Sequence, residues 1–317
     1  ILLNRITDNS IDLTIKKLAF KDESGFKLQS LHFKLQADRQ KAVLREFKLL
    51  MPRSELVLAD LKATYCMEGK KFDAQSLRFE GGIEQSKLTF ANIASIVPAF
   101  REFDDALYLN SRFKGTAHSI NIQSLNLHTG SGSVNLQARG SYNKSGRNPS
   151  WNVDIDNLNI TGAGVEFLAE NLGNKVKIPQ EVLRLGTIHL KGKAKGYDNL
   201  IAAQGIVETD AGNVTLRAHK KGQQIEASVD TKGVNIGRIL DNRQLGNVVA
   251  SIDVNGTLNH LYAKGKIARF DYGNYPFHDI VIDGNYDRHT LQGMASIADP
   301  NISLSAKGDY TPASRRY

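Results

Sequence analysis

Residues 248–267 read Val-Val-Ala-Ser-Ile-Asp-Val-Asn-Gly-Thr-Leu-Asn-His-Leu-Tyr-Ala-Lys-Gly-Lys-Ile, and this stretch decides the fold class. Ala250, Ile252 and Val254 alternate with polar residues, and the alternation resumes at Ala263 after a turn-forming Gly-Thr-Leu-Asn. Successive side chains of a β-strand point to opposite faces, so each half of the stretch presents one apolar and one polar face. The stretch therefore predicts two antiparallel strands joined by a short turn.

The same period-two alternation extends through most of the chain. It is clear over residues 11–15, 120–127, 214–218 and 302–306. Breaks rich in Gly, Asn, Asp and Lys separate the alternating segments, as turns do. The spacing predicts an all-β fold of about 19 strands arranged in antiparallel meanders.

A helical period interrupts the alternation at three places. Apolar residues spaced three and four apart predict short helices at 93–100, 165–172 and 236–240. These segments recur about every 72 residues, and similar strand motifs follow them. We therefore expect about three repeats of one helix plus several strands over residues 91–317. They would continue an N-terminal set of strands over residues 1–90.

The composition is that of a folded chain with a basic balance. The 317 residues include 41 Lys and Arg against 33 Asp and Glu, which gives a net charge of +8. A single cysteine, Cys66, excludes a disulfide framework, and we expect it to be a small packed residue. No stretch of about 20 apolar residues predicts a membrane-spanning helix. The chain begins at Ile1 without a signal-peptide pattern, so we expect a fragment whose membrane anchor lies outside it.

The number of strands constrains how the sheet is arranged. Twisted sheets of this size curl, split or stack, and repeats favour one sheet whose units bury their apolar faces against their neighbours. Gly and Ala are frequent on the apolar face, which suits a narrow apolar interior. We therefore predict an elongated, U-shaped antiparallel sheet with a hydrophobic groove. The residues predicted to line the groove are Ile120, Ile122, Val134, Leu136, Ile188, Leu190, Val214, Leu216, Ile252, Val254, Ile280, Ile282, Leu291, Ile302 and Leu304.

Several short motifs in the second half of the chain resemble the TamB members of the AsmA-like superfamily. They are Gly-Thr-Leu-Asn-His-Leu at 256–261, the Ala-x-Gly-x-apolar step at 263–267, Phe-Asp-Tyr-Gly at 270–273, the strand phrase Phe-His-Asp-Ile-Val-Ile-Asp-Gly at 277–284 and Asp-Pro-Asn at 299–301. The order of these motifs carries the resemblance, which extends from about residue 90 to the end and to the earlier strands by continuity.

The resemblance implies a long antiparallel sheet bent into a U, a β-taco, with a hydrophobic groove. It implies an N-terminal inner-membrane anchor, a body that spans the periplasm of a Gram-negative bacterium, and an outer-membrane β-barrel partner of the Omp85 type. The anchor and the domain that engages the barrel would both lie outside this chain. It also implies a role in outer-membrane protein assembly and in phospholipid movement between the two membranes.

The sequence offers little for catalysis, metal binding or nucleic-acid recognition. The eight histidines are scattered singly, and no His-x-x-His or Gly-x-Ser-x-Gly motif occurs. Asp154 and Asp156 share one strand face, but we expect an exposed pair of this kind to be solvated. Lys191, Lys193 and Lys195 suit a solvated outer face or anionic lipid headgroups, and no stacking aromatics accompany them. We therefore expect no enzyme, no metal, no cofactor and no nucleic-acid partner.

An apolar wall of this kind suits phospholipid acyl chains. Burial of an acyl chain gains about 0.8 kcal/mol per CH₂ without any directional bond, so a chain can move from strand to strand. We expect a non-enzymatic groove that moves phospholipid between the inner and outer membranes, supports outer-membrane protein assembly, or does both. The alternatives are a β-solenoid or sandwich adhesin or carbohydrate-binding module, and a purely structural spacer with a packed interior.

Overall fold

The structure of the protein is a computed structural model. It describes residues 2–7, 9–21, 27–69, 71–93, 105–144, 146–172, 179–288 and 290–311. For residues 93, 169–172 and 310 it describes the backbone. The predicted helical residues 94–100 lie outside the described residues.

Twenty-one strands and four short helices lie in the described ranges. The strands are β1 (Leu2–Thr7), β2 (Ser10–Lys21), β3 (Lys27–Asp38), β4 (Lys41–Met51), β5 (Ser54–Val57), β6 (Leu61–Glu68), β7 (Lys71–Thr89), β8 (Ala106–Thr116), β9 (Ser119–Thr129), β10 (Val134–Asn143), β11 (Ser150–Ile160), β12 (Ile188–Tyr197), β13 (Leu200–Thr209), β14 (Gly212–Lys221), β15 (Gln224–Thr231), β16 (Val234–Asn235), β17 (Leu245–Thr257), β18 (His260–Tyr272), β19 (Tyr275–Asp287), β20 (Thr290–Asp299) and β21 (Ile302–Tyr310). The helices are α1 (Phe90–Ile93), α2 (Gly162–Leu172), α3 (Gln180–Leu183) and α4 (Ile236–Leu240).

The described strand pairings are all antiparallel, so the predicted all-β antiparallel fold with a few short helices is confirmed. Helices α2 and α4 lie at the segments predicted at 165–172 and 236–240, whereas α1 ends at Ile93, the first residue of the segment predicted at 93–100. The single turn of α3 is too short to give a periodic signal. Among the described residues, no helix has the length and apolar character needed to cross a bilayer.

The chain divides into two compact units. Unit 1 comprises Ile1–Asn157 and unit 2 comprises Leu158–Tyr317. Within unit 1, β7 ends at Thr89 and α1 begins at Phe90. Helices α2, α3 and α4 belong to unit 2.

Most strands of unit 1 pair with their neighbours in sequence, but the middle of the unit branches. Strand β4 pairs with two short strands, with β5 through Lys48–Met51 and with β6 through Lys41–Leu44. Strand β7 pairs with the same two strands on their other side. Two short strands thus take the place of one, and the backbone ladder breaks between them.

Register shifts interrupt seven of the described pairings in unit 1. Buried hydroxyl groups bond backbone groups at the irregular places. Ser86 Oγ accepts a hydrogen bond from the Val57 N–H at 2.9 Å, and Ser111 Oγ donates to the Ser124 carbonyl at 2.9 Å. A buried backbone group without a partner would be costly, so these side chains stabilise the irregular ladder. The buried polar residues described in unit 1 are Thr14, Ser54, Ser86, Thr89, Ser111, Thr129 and Ser133.

Unit 2 is a meander with a nearly constant register. From β12 to β21, each long strand pairs with the next long strand, and β15 pairs with β17 across the short β16 and α4. The described pairings of this unit contain register shifts between β17 and β18, before Ala250. From Ala250 to Thr257 that pairing is regular as well.

Arginine side chains hold α3 and α4 together in unit 2. Arg238 donates to Asp210 Oδ2 at 3.2 Å and to the Arg184 carbonyl at 3.0 Å. Arg184 donates to the Ile239 carbonyl at 3.2 Å and to Asp241 Oδ2 at 3.4 Å. Because Asp210 lies in the turn between β13 and β14, the two helices are tied to that end of the strands.

Candidate functional site

Along the middle of its strands, one face of the unit 2 sheet consists of apolar and small residues that lie directly opposite one another in successive strands. Leu190 on β12 faces Val207 on β13, which faces Val214 on β14. Because the register stays constant, such cross-strand partners form continuous rows. The rows cross nine strands, β12 to β15 and β17 to β21.

Three rows lie side by side, and together we call them the apolar face. The large-residue row is Leu190, Val207, Val214, Thr231, Ala250, Ile267, Ile280, Ile297 and Leu304. The middle row is Gly192, Gly205, Leu216, Val229, Ile252, Gly265, Ile282, Ala295 and Ala306. The small-residue row is Ala194, Ala203, Ala218, Ala227, Val254, Ala263, Gly284, Gly293 and Gly308.

The apolar face is long compared with a lipid. At about 4.8 Å between neighbouring strands, each row extends for about 38 Å. A phospholipid acyl chain occupies half of the roughly 30 Å hydrocarbon core of a bilayer, or about 15 Å. One row therefore offers a continuous apolar path longer than two acyl chains placed end to end.

The bulk of the apolar face changes along its length. A β-carbon at Gly265 would lie 2.9 Å from Ile252 Cγ1 and 3.1 Å from Ile282 Cγ1, so two isoleucines already fill the space above this glycine. Above Gly284, by contrast, the atoms within 4 Å of such a β-carbon belong to backbone, and above Gly308 no atom lies within 4 Å. The small-residue row is therefore open over β19 and β21.

Much of the apolar face remains accessible. Ile280 in the large-residue row is 6 % exposed, whereas Leu304 at the other end of the same row is 53 % exposed. Leu216 and Leu291 are exposed as well. Most other members of the three rows are half-buried, so their own neighbours do not cover them. An accessible apolar surface of this extent is typical of sites where proteins, membranes or apolar ligands dock.

The predicted groove residues of unit 2 all lie on this face. Eight of them belong to the three rows, and the other three follow the same two-residue spacing along their strands. They are Ile188, Leu190, Val214, Leu216, Ile252, Val254, Ile280, Ile282, Leu291, Ile302 and Leu304.

The other predicted groove residues lie on β9 and β10 of unit 1, and they are Ile120, Ile122, Val134 and Leu136. Their pairing contains a bulge. Between Ile122 and Leu125, β9 carries one residue more than β10 carries between its partners Gly140 and Ala138. The extra residue places Ile122 and Leu125 on the same face despite the change of phase in the sequence. Of the four, Ile120 is exposed and the others are half-buried.

Four further apolar residues belong to the rows but were not predicted as site residues. They are Val207, Val229, Ile267 and Ile297. The period-two pattern around Val229 is visible in the sequence, but membership of a row depends on the pairing register. That register depends on turn geometry, which the alternating pattern specifies less sharply.

The opposite face of unit 2 is polar, and some of its charges lie beside charges of the opposite sign. Lys264 lies directly between Asp253 and Asp283 of the neighbouring strands. Lys266 Nζ lies 3.4 Å from Asp279 Oδ1. Alternating charge on exposed strands stabilises weakly but keeps the face hydrated.

The lysines of β12 differ from this pattern. Lys191, Lys193 and Lys195 lie on the polar face, and their partners on β13 are Ile206, Gln204 and Ala202. All three lysines are exposed, and no described carboxylate forms an ion pair with them. Their exposure fits both expectations for them, a solvated outer face and contact with anionic lipid headgroups.

A buried carboxylate stabilises the turn that precedes β21. Asp299 accepts hydrogen bonds from the Tyr275 hydroxyl, from the Asn301 N–H at 3.0 Å and from the His278 N–H at 3.0 Å. These bonds, the one from Tyr275 above all, hold the pKa of Asp299 below its ordinary value. The side chain is fully buried, and because these hydrogen bonds outweigh the effect of burial on the pKa, the ionised Asp299 is held in place and fixes the start of β21.

The titratable residues considered at the sequence level do not converge on a reaction centre. Asp154 and Asp156 both approach the Arg139 guanidinium, at 3.2 and 3.3 Å. Cys66 is exposed, so the expectation that it packs in the interior is wrong. It lies on the solvent side of β6, where the alternation of that strand places it. Within the described ranges, no three His, Cys, Asp or Glu side chains are grouped closely enough to hold a metal ion.

Comparison of the chain with protein-family models, with curated proteins and with solved structures found no significant match. The resemblance to the TamB proteins therefore remains an expectation from the motifs of the sequence. What the structure adds is the fold class and the geometry of the apolar face.

Proposed function

We propose that the apolar face of unit 2 binds phospholipid acyl chains and guides them along its rows, without catalysis. The proposal follows the TamB-like expectation of a periplasmic groove that carries phospholipid between two membranes. The single observation that carries it is the uninterrupted alignment of three apolar rows across nine strands, with most members only half-buried.

The chemistry of the apolar face supports a ligand without fixed polar contacts. The 27 positions of the three rows carry no charged side chain, and Thr231 is their one polar member. The Thr231 hydroxyl donates to the Val248 carbonyl at 3.0 Å and accepts from the Ala250 N–H at 2.9 Å, so its polarity is already satisfied. A hydrocarbon chain would gain the same burial energy at each strand, which favours movement over tight binding at one place.

A photo-crosslinking experiment in cells tests this function. A photoreactive side chain is introduced at Leu190, Ile252 or Ile282, and the control positions are Lys191 and Asp253 on the polar face of the same strands. We expect phospholipid adducts at the three apolar positions and none at the controls. Phospholipid carrying an isotopic label identifies the adduct by mass.

Two results would overturn the proposal. Recovery of crosslinks within the chain alone at all three apolar positions would mean that the face is closed, as in a structural spacer. Equal lipid labelling on both faces would mean that the label reports a nearby membrane rather than a specific surface. Crosslinks to other proteins alone would favour the expected role in outer-membrane protein assembly over lipid transport.

A further inference from the structure

A cleft of about 540 Å³ lies on unit 1, among β6, β7, β8 and β9. Three basic side chains line it, Lys62, Arg78 and Lys114, together with one carboxylate, Glu80. The hydroxyl groups of Thr64 and Thr116 also line the cleft. These residues are far apart in the sequence, and the strand pairing brings them together.

The register explains how the basic groups converge. Arg78 on β7 lies directly between Thr64 on β6 and Thr116 on β8. One step along the same strands, Glu80 lies between Lys62 and Lys114. Side chains two residues apart on a strand share a face, so both rows open into the same cleft.

The cleft carries an excess of positive charge. Glu80 Oε1 lies 3.7 Å from Lys62 Nζ, which accounts for one of the three cations. Among the described residues, no carboxylate lies within ion-pairing distance of Arg78 or Lys114. Two uncompensated cations therefore remain beside two hydroxyl groups.

Two other clefts in the described part of the chain lack this excess. On another part of unit 1, a cleft of about 470 Å³ contains Arg112 and Glu84, which pair at 2.9 Å. On unit 2, a cleft of about 460 Å³ contains Arg217, which lies 3.8 Å from Asp230. In both clefts the arginine has a carboxylate partner, whereas Arg78 has none.

We propose that the cleft around Arg78 binds an oxyanion of the phosphate class. The planar guanidinium of Arg78 donates two parallel hydrogen bonds to phosphate oxygens, and the Lys114 ammonium supplies a second charge. The Thr116 Oγ1 accepts from the His118 N–H at 3.3 Å and shares a hydrogen bond of 2.8 Å with Ser119 Oγ. Whichever of these two hydroxyls donates to the other, one hydroxyl proton of the pair is left for the ligand. The inference is independent of the acyl-chain proposal because it concerns another unit and a polar surface.

The phosphate group has two sources, a free phosphate compound or the headgroup of an anionic lipid. Titration calorimetry with inorganic phosphate and glycerol 3-phosphate measures the first. Co-sedimentation with phosphatidylglycerol vesicles, compared with phosphatidylcholine vesicles, measures the second. We expect binding in at least one of these arms, and the arm that shows it identifies the source.

Variants separate a built site from general charge attraction. Arg78→Gln removes one charge-assisted contact and should weaken binding by tenfold or more, and the double variant with Lys114→Gln should weaken it further. The control Arg217→Gln removes one positive charge from the cleft on unit 2 and should change the affinity less than about twofold. Thr116→Val keeps the charge and should weaken binding severalfold because a donor is lost.

Three results would overturn the oxyanion site. The first is an equal loss in Arg78→Gln and Arg217→Gln, which would show that net charge alone attracts the probes. The second is full binding by Thr116→Val and the double variant. The third is no binding of any probe by the wild-type chain at concentrations up to about 10 mM. All the substituted side chains lie at the surface of strands, and circular dichroism checks that each variant is folded.

Discussion

Unit 1 and unit 2 carry the same alternating sequence pattern, but their strands are held in register in different ways. In unit 1, bulges and two short strands interrupt the ladder, and buried hydroxyls such as those of Ser86 and Ser111 bond the backbone there. In unit 2, the register is nearly constant and the described buried residues are apolar apart from Asp299. The constant register of unit 2 keeps its apolar residues on one face, whereas a shift of one residue in unit 1 keeps the face only where the sequence changes phase with it, as between Ile122 and Leu125.

The largest expected effect comes from a charge in the best-buried part of the large-residue row. Ile280 lies between Ile267 and Ile297 and is 6 % exposed. Ile280→Asp would bury a carboxylate without a partner, and we expect unit 2 to lose about 4 kcal/mol or more of unfolding free energy. Urea denaturation measures this loss.

The matched control is Leu304→Asp, which places the same charge in the same row at a residue that is 53 % exposed. We expect a loss of about 1 kcal/mol or less, because water can solvate the new carboxylate. Equal losses in the two variants would contradict the description of the row as packed at β19 and open at β21.

A smaller effect tests how unit 1 stabilises its irregular ladder. Ser86→Ala removes the hydroxyl that accepts from the Val57 N–H, and it leaves that backbone group buried without this partner. We expect a loss of about 1–3 kcal/mol of unfolding free energy. The fluorescence of Trp151, the chain's single tryptophan, which lies in unit 1, measures this loss. Ser303→Ala on the exposed β21 should stay within about 0.5 kcal/mol. If the two variants were equally stable, the buried hydroxyls would not be what stabilises the breaks in the ladder.

The smallest effect depends on pH and concerns the turn before β21. The pKa of Asp299 is lowered in the folded protein, so the unfolded chain binds this proton more readily. The stabilisation is present above the ordinary pKa of about 3.9 and is lost as the pH falls through the lower folded value. We expect Asp299→Asn to lower the melting temperature at pH 7, and the difference from wild type to shrink below about pH 4. A difference that stays constant down to pH 2 would contradict an ionised Asp299.

The sequence predicts the strands and their apolar faces well, because a period of two is a local property. Ile120 and Leu125 show the limit of such a prediction. The change of phase between them is visible in the sequence, but the bulge that keeps both residues on one face is a property of the strand pairing. The rows of unit 2 could not be predicted in this way, because assigning a residue to a row requires the pairing register of every hairpin. The basic cleft was not predicted, because Lys62 on β6 and Lys114 on β8 are far apart in the sequence and become neighbours of Glu80 on β7 through strand pairing alone.

The nearest-neighbour pairing of unit 2 has a consequence for how such a protein changes in evolution. Since each long strand of the meander contacts the strands just before and just after it, duplication of one hairpin would add two residues to every row without disturbing any existing pair. Each such event would lengthen the face by about 9.6 Å. Evolution could thus change the length of the apolar face in steps of one hairpin, without altering the pairing of the other strands.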